Sequence, residues 1–259
     1  MLILLSPAKQ MNFDPVAVET TSPALLEQTR ILSRTTRGLS QAKLKAMMGI
    51  SDDLAALNHA RFQAFDAGIP GEKPAAMAFT GEVYRGLDAA TMSEADLAFA
   101  QDHLRLLSGL YGVLKPLDGI QPYRLEMGTR LHTRRGENLY DFWGGHIAKT
   151  LNADLAGENE PVVLNLASNE YFKAVDKKIL KARIVTAGFK EVKDGKARML
   201  MVFAKRARGL MARWVIENRI TDPADLAKFD VDGYRLDEAA SADGELVFTR
   251  PQPAAAKAA

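Results

Sequence analysis

The sequence predicts an α+β fold: a single compact domain with a mixed β-sheet surrounded by helices. Three observations carry this. Two short apolar runs, 2–5 and 161–167, have the unbroken hydrophobicity of strands covered on both faces. Amphipathic segments of helical period lie between and around them without a regular strand–helix alternation. Two antiparallel hairpin signals close the chain. At 259 residues, 47% of them hydrophobic, the chain can bury a large core. One domain over 1–250 is expected, with a disordered tail at 251–259 that is Ala/Pro-rich.

The elements follow in order. Residues 2–5 form the first strand; 23–37, 41–48 and 52–65 have helical patterning, the last capped by Ser51. A Gly/Pro-rich loop at 68–74 precedes a short strand at 75–79. Ser93 is an N-cap with Asp96 three residues on, and Leu97, Ala100, Leu104 and Leu107 recur on one face, so one helix is expected from Ser93 to near Gly109. Residues 139–155 carry Trp143 on a further amphipathic helix. Asp194-Gly195 marks a hairpin between strands 182–192 and 197–203, and 233–236 with 245–250 make the final hairpin. Between them, Phe203, Ala207, Leu210, Met211, Trp214 and Asn218 have helical spacing.

Leu107-Ser108-Gly109-Leu110-Tyr111-Gly112-Val113-Leu114 has the form apolar-x-Gly-apolar-x-Gly-apolar, the spacing of a helix-hairpin-helix. In such a corner, backbone N–H groups of Gly109, Leu110, Tyr111 and Gly112 meet a phosphate, with Lys115 adding charge. Pro116 fits only in the first turn of the second helix, where its missing N–H is not needed. The alternative is a helix C-cap followed by an ordinary turn.

Composition narrows the chemistry. Cysteine is absent, so disulfides and thiolate nucleophiles are excluded. Four scattered histidines, His59, His103, His132 and His146, give no zinc spacing; no metal or cofactor is expected. No apolar run reaches the ~20 residues of a membrane span, and the N-terminus lacks a basic leader, so a cytosolic protein is expected. The net charge is only +2, but it is sorted along the chain. Residues 196–219 hold seven basic side chains against Glu217 alone; residues 222–245 hold eight acids against Lys228 and Arg235. Within the basic helix, Gly209 weakens helical propensity by about 1 kcal/mol, for which close approach of a ligand backbone is one use. A solvated helix face paired with the acidic segment is the other reading.

Polar clusters sit at strand ends, where open sheets hold ligands: Ser6-Pro7-Ala8-Lys9 after the first strand and Ser168-Asn169-Glu170-Tyr171-Phe172-Lys173 after the strand ending at Ala167. In the third cluster, 121–128, Arg124 and Glu126 share one face of an extended segment, to pair or to grip a substrate. No Walker loop, Gly-x-Ser-x-Gly or dinucleotide fingerprint occurs.

Four blocks together resemble one family: Leu-x-Ser-Pro-Ala-Lys at the N-terminus, 104–114 through 122–128, Asn165 to Phe172, and Ala204 to Met211. Their order and length are similar to the YaaA family of bacterial peroxide stress resistance proteins. The resemblance implies a cytosolic protein that limits oxidative damage by lowering free intracellular iron and hence Fenton chemistry at DNA. It also implies a compact α/β fold, a helix-hairpin-helix and a basic cleft that binds duplex and branched DNA. On this chain the corner would be Gly109 to Gly112, and the cleft would draw on Lys9, Arg124, Lys173, Lys205, Arg206 and Arg208. Two functions are thus expected to compete. One is DNA binding through phosphates. The other is an enzyme acting on a phosphorylated small molecule or nucleotide, with Glu126, Glu170, Ser168 and Lys9 as catalytic candidates beside Ser6, Tyr123, Asn165 and Lys173.

Overall fold

The computed structural model describes residues 1–69 and 71–253. Its centre is an eight-stranded mixed sheet made of β1 (Leu2–Leu5), β2 (Leu104–Ser108), β3 (Gly112–Leu114), β4 (Val162–Asn165), β5 (Arg183–Lys193), β6 (Lys196–Arg198), β7 (Arg235–Leu236) and β8 (Glu245–Pro251). The order is β7-β8-β5-β4-β1-β2-β3, with β6 paired to β5. The five central strands run parallel; β3, β6 and β7 add antiparallel partners at the margins. β1 is flanked by β2 on one side and β4 on the other, in the registers Leu4↔Arg105 and Leu4↔Asn165. All four of its residues are buried, as its unbroken hydrophobicity requires.

The helices are α1 (Leu26–Arg37), α2 (Gln41–Met48), α3 (Asp52–Ala64), α4 (Glu82–Leu87), α5 (Glu94–His103), α6 (Leu139–Trp143), α7 (His146–Asp154), α8 (Asn169–Phe172) and α9 (Met201–Glu217). Capping chemistry fixes several of their starts: the hydroxyls of Ser40, Ser51 and Ser93 accept from Lys43 N, Leu54 N and Asp96 N. Asp194 and Gly195, with φ of 51° and 71°, make the hairpin turn between β5 and β6. Tyr234, Phe189, Phe229 and Phe248 pack edge to face or stacked behind β5 and β8 and seal the C-terminal part of the sheet onto α9 through Trp214.

Several expectations are corrected. The helix that starts at Ser93 ends at His103, and Leu104 to Ser108 form β2, buried at every position. Even Arg105 is buried, because its Nε donates to Asp154 Oδ2 at 2.7 Å and its Nη1 to the carbonyls of Gln101 and Leu104. The Leu97/Ala100/Leu104/Leu107 spacing therefore spans a helix and a doubly covered strand, which periodicity cannot separate. Residues 75–79 are a four-residue helix, Ala75–Ala78, leading into a two-residue strand, Phe79–Thr80. The 139–155 helix is broken at Gly144, whose φ of 44° interrupts it before α7. The second strand of the 182–203 hairpin stops at Arg198, and Phe203 lies in α9. Of the tail, Pro251 still belongs to β8, and 254–259 lie outside the described residues.

The glycine corner is the largest correction. Gly109 to Gly112 is the turn of a tight β-hairpin between β2 and β3, not a helix-hairpin-helix. Gly109, Leu110, Tyr111 and Gly112 are all buried. Tyr111 N donates to Ser108 Oγ at 2.9 Å, Trp143 Nε1 donates to the Gly109 carbonyl at 3.0 Å, and a Cβ at Gly109 would overlap the Leu125 carbonyl. Gly112 takes φ 73° with Trp143 Cζ3 2.7 Å from where a Cβ would stand. These glycines exist for packing, and no phosphate reaches them. Lys115 opens the next turn, its N–H donating to Asp118 Oδ2 at 2.8 Å.

A pair of helices with a short exposed corner does occur elsewhere, at α2 and α3, joined by Gly49-Ile50-Ser51. Gly49 has φ 60°, and nothing lies within 4 Å of its would-be Cβ. Asp52 and Asp53 occupy the first turn of α3 and oppose an anion at that end.

Candidate functional site

The strands place the site. The chain leaves β1 toward β2 on one side and later fills the other side with β4, so the crevice between β1 and β4 is a topological switch point at the carboxyl ends of parallel strands. Ser6 follows β1 and Ser168 follows β4. Ser168 N donates to Ser6 Oγ at 2.8 Å, Ser6 Oγ donates to Ser168 Oγ at 3.3 Å, and Tyr84 OH on α4 donates to the Ser6 carbonyl at 3.0 Å. Asn165 Oδ1 accepts from Ala167 N and thereby turns the chain out of β4.

A cleft of about 520 Å³ opens above this floor. Five segments line it: 6–10, the 80–84 start of α4, 123–126, 166–171 and the face of α9 carrying Met201, Lys205 and Arg208. Within it Lys9, Arg124, Lys205 and Arg208 face Glu82, Glu126 and Glu170, a slight cationic excess. Glu126 is the hub. One carboxylate oxygen lies 2.8 Å from Lys9 Nζ and the other 3.0 Å from Arg124 Nη2. Burial raises the Glu126 carboxyl, but Lys9 and Arg124 outweigh it and hold the group below the ordinary carboxylate range. Glu82 pairs with Arg85, and Glu170 accepts from Gly128 N at 2.9 Å.

Arg208 is different. Its Nε is buried without a hydrogen-bond partner, and burial lowers the pKa of its guanidinium, which at this height stays charged. An unpartnered guanidinium edge on the wall of a polar cleft is a donor waiting for an acceptor. Tyr84 and Tyr123 contribute phenols whose pKa burial pushes far up, so they act as neutral donors. Tyr123 OH is already hydrogen-bonded to Ser108 Oγ at 2.6 Å. Among the described residues no three His, Asp or Glu side chains are grouped to hold a metal ion.

Of the residues singled out in the sequence, Ser6, Lys9, Tyr123, Arg124, Glu126, Ser168, Glu170, Lys205 and Arg208 converge on this cleft. Four others do not. Lys173 lies over the Tyr140 ring at 4.9 Å and lines a neighbouring depression with Lys177 and Lys178. Arg206 is exposed outside the lining, Lys115 sits in its turn, and Asn165 lies beneath the floor. Gly209 serves no ligand: a Cβ there would overlap the Val83 carbonyl of α4, and one at Gly86 would overlap the Arg206 carbonyl. The two glycines let α4 and α9 cross in backbone contact, which sets the width of the cleft between Tyr84 and Arg208. Sequence reasoning missed Glu82 and Tyr84, whose signal was Gly81, a left-handed residue at φ 112° just before α4.

Comparison with known proteins agrees with these blocks. A family model described as "Peroxide stress protein YaaA" matches residues 1–240. A UPF0246 protein of Maricaulis maris (strain MCS10) is 69% identical over 258 residues, covering 99% of this chain and 98% of its own. UPF0246 proteins of Caulobacter vibrioides (strain NA1000 / CB15N) and Phenylobacterium zucineum (strain HLK1) are 52% and 51% identical over 255 residues, each covering 98% of this chain, with 100% and 96% of their own lengths matched. Among the described residues no helix is long and apolar enough to cross a membrane. With a strand-end cleft built from the same sequence blocks, the chain belongs to the YaaA peroxide stress protein family.

Proposed function

We propose that this chain protects DNA during peroxide stress by binding its phosphate backbone in the strand-end cleft rather than at a glycine corner. The observation that carries this is the convergence of Lys9, Arg124, Lys205 and Arg208 from three separate segments on one cleft, with the Arg208 Nε unpartnered. Cations on phosphate oxygens displace the counterions condensed there. Ferrous ions are among those counterions, so occupancy lowers the iron held where Fenton chemistry would cut the strand. Lowering of free iron elsewhere in the cell is part of the same proposal. Because Glu126 already neutralises part of Lys9 and Arg124, two to four phosphates are engaged. At about −0.9 per phosphate, the slope of log affinity against log salt should then lie between about −1.8 and −3.6 on duplex DNA. Fluorescence anisotropy across a salt series tests this; absence of binding to duplex or branched DNA at low salt rejects it.

A second reading has its own support. The Ser6–Ser168 pair on the floor of the cleft, with Glu126 and Glu170 in its lining, offers acid, hydroxyl and anion-binding groups for chemistry on a phosphorylated small molecule or nucleotide. Ser168→Ala separates the readings. It removes one hydroxyl but none of the cations assigned to phosphate, so it should leave DNA affinity within about twofold and abolish turnover if the cleft is an active site.

A further inference from the structure

Large apolar side chains are exposed in few places, and three of them fall within four consecutive residues: Met199, Met201 and Val202 are 46%, 54% and 61% exposed. Met201 lines the cleft, and Met199 and Val202 are its exposed chain neighbours where β6 hands over to α9; together they make an apolar lip. Met201, Lys205 and Arg208 follow the i, i+4, i+7 spacing of one helix face, and all three line the cleft. The apolar tip and the first cation are about 6 Å apart along the helix axis, less than two base steps of a duplex at 3.4 Å each. No acidic residue occurs between Lys196 and Trp214, so along the chain the lip's charged neighbours are cations, Lys196 and Arg198 before it and Lys205 and Arg206 after it, while Glu82, Glu126 and Glu170 stand elsewhere in the cleft.

The lip is also firmly mounted. Buried Glu191 on β5 accepts from Leu200 N with one carboxylate oxygen and from Tyr234 OH with the other. Arg250 lies beside Glu191 and over the Phe203 ring. Leu200 is thereby pinned to the sheet between two exposed methionines. An apolar tip on an anchored backbone, with cations beside it along the chain, matches the way architectural proteins open a base step, with flexible, polarisable Met among the residues used as wedges.

We infer that Met199, Met201 and Val202 form a wedge that inserts between or against bases of the DNA whose phosphates Lys205 and Arg208 hold. This rests on the DNA-binding reading above and adds base unstacking to it. The test uses the full chain and a duplex carrying 2-aminopurine, whose fluorescence rises when it leaves the stack. Wild type should raise that fluorescence several-fold at saturation. The double variant Met199→Ala/Met201→Ala should abolish the rise while keeping duplex affinity within about tenfold, the range of a few unstacked contacts. Met201→Leu, still apolar, should preserve it. Lys205→Ala should instead weaken binding to every duplex and reduce the salt slope by about 1. Wild type that binds duplex without the rise, or a double variant that keeps it, overturns the wedge alone. Failure of wild type to bind any duplex at low salt overturns the DNA reading and the wedge with it. Wild type that self-associates in sedimentation while the double variant does not would assign the lip to a second copy of this chain and likewise overturn the wedge.

Discussion

Replacing Gly209 by alanine isolates the packing that holds the cleft in shape. In an ordinary helix interior this change gains about 1 kcal/mol, because alanine has the higher propensity. Here the added methyl would overlap the Val83 carbonyl oxygen and stand 2.8 Å from Leu87 N and 2.9 Å from Val83 C. All three are backbone atoms of α4, so no side-chain rotation relieves the clash. The helices must separate, and Gly86 shows the reciprocal contact against the Arg206 carbonyl and, at 2.8 Å, Leu210 N. Separation loosens Ala207 and Met211, which are buried in the core under α9. Overpacking costs typically ~1–3 kcal/mol and occasionally more; with backbone displaced, about 3–4 kcal/mol is expected here, which the propensity gain of about 1 kcal/mol reduces to a net loss of about 2–3 kcal/mol. At roughly 2–4 °C per kcal/mol for a chain of this size, Tm should fall by about 4–12 °C. Because α9 carries Lys205 and Arg208, anion affinity should also drop at temperatures where the variant is fully folded. Gly49→Ala is the control: its Cβ would meet nothing within 4 Å. Its cost is therefore only the left-handed backbone, about 1 kcal/mol, with no effect on binding. Calorimetry and anisotropy read both. A Gly209→Ala protein as stable as the parent would refute the crossing and the role given to its glycines.

Other outcomes follow from the same geometry. Glu126→Gln frees Lys9 and Arg124, so DNA affinity should rise at pH 7. A phosphate about 6 Å from that carboxylate is repelled by ~0.7 kcal/mol in a water-like medium and ~2.8 kcal/mol at an effective dielectric of 20, so a gain of about five- to thirtyfold is expected for a half-buried site. The reverse sign in anisotropy would show that the carboxylate is not opposing the ligand. Because Lys9 and Arg124 hold the Glu126 carboxyl below its unfolded value near 4.5, its contribution to stability is complete above that pH and is lost as pH falls through the lower folded value. The urea midpoint of Glu126→Gln should accordingly depend less on pH over that acid range than the parent's. Arg250→Met leaves Glu191 buried beside its Tyr234 and Leu200 donors without a cation. It should cost about 3 kcal/mol, measured by denaturation, and adding Glu191→Gln should recover part of the loss. Gly112→Ala combines a φ of 73° with a collision against Trp143. It should destabilise by ~2–4 kcal/mol and redden Trp emission, whereas a phosphate-binding corner would lose affinity with stability intact.

The sequence determined more of this protein than its corrected features suggest. Local rules were sufficient for β1, for α2 and α3 to within a residue, for the capped start of α5 at Ser93 and for the Asp194-Gly195 hairpin. In each case the signal is contained in a few neighbouring residues: a capping hydroxyl, a left-handed glycine, an apolar run. The α+β class and most of the cleft were also legible, because polar residues directly after buried strands have few other places to go. What the sequence did not decide was anything that depends on a partner distant along the chain. Leu104 to Ser108 are helical by period and become a strand because β1 lies parallel beside them, pairing Ile3 with Leu104 through Leu5 with Leu106. Gly109 and Gly112 have the spacing of a phosphate corner, yet Leu125 and Trp143 fill the space a phosphate would need. Gly209 looks like a gap for a ligand, and α4 occupies it. A glycine reports only that something approaches closely; which body approaches is a property of the tertiary structure, since the missing Cβ carries no record of whether helix, indole or phosphate takes its place.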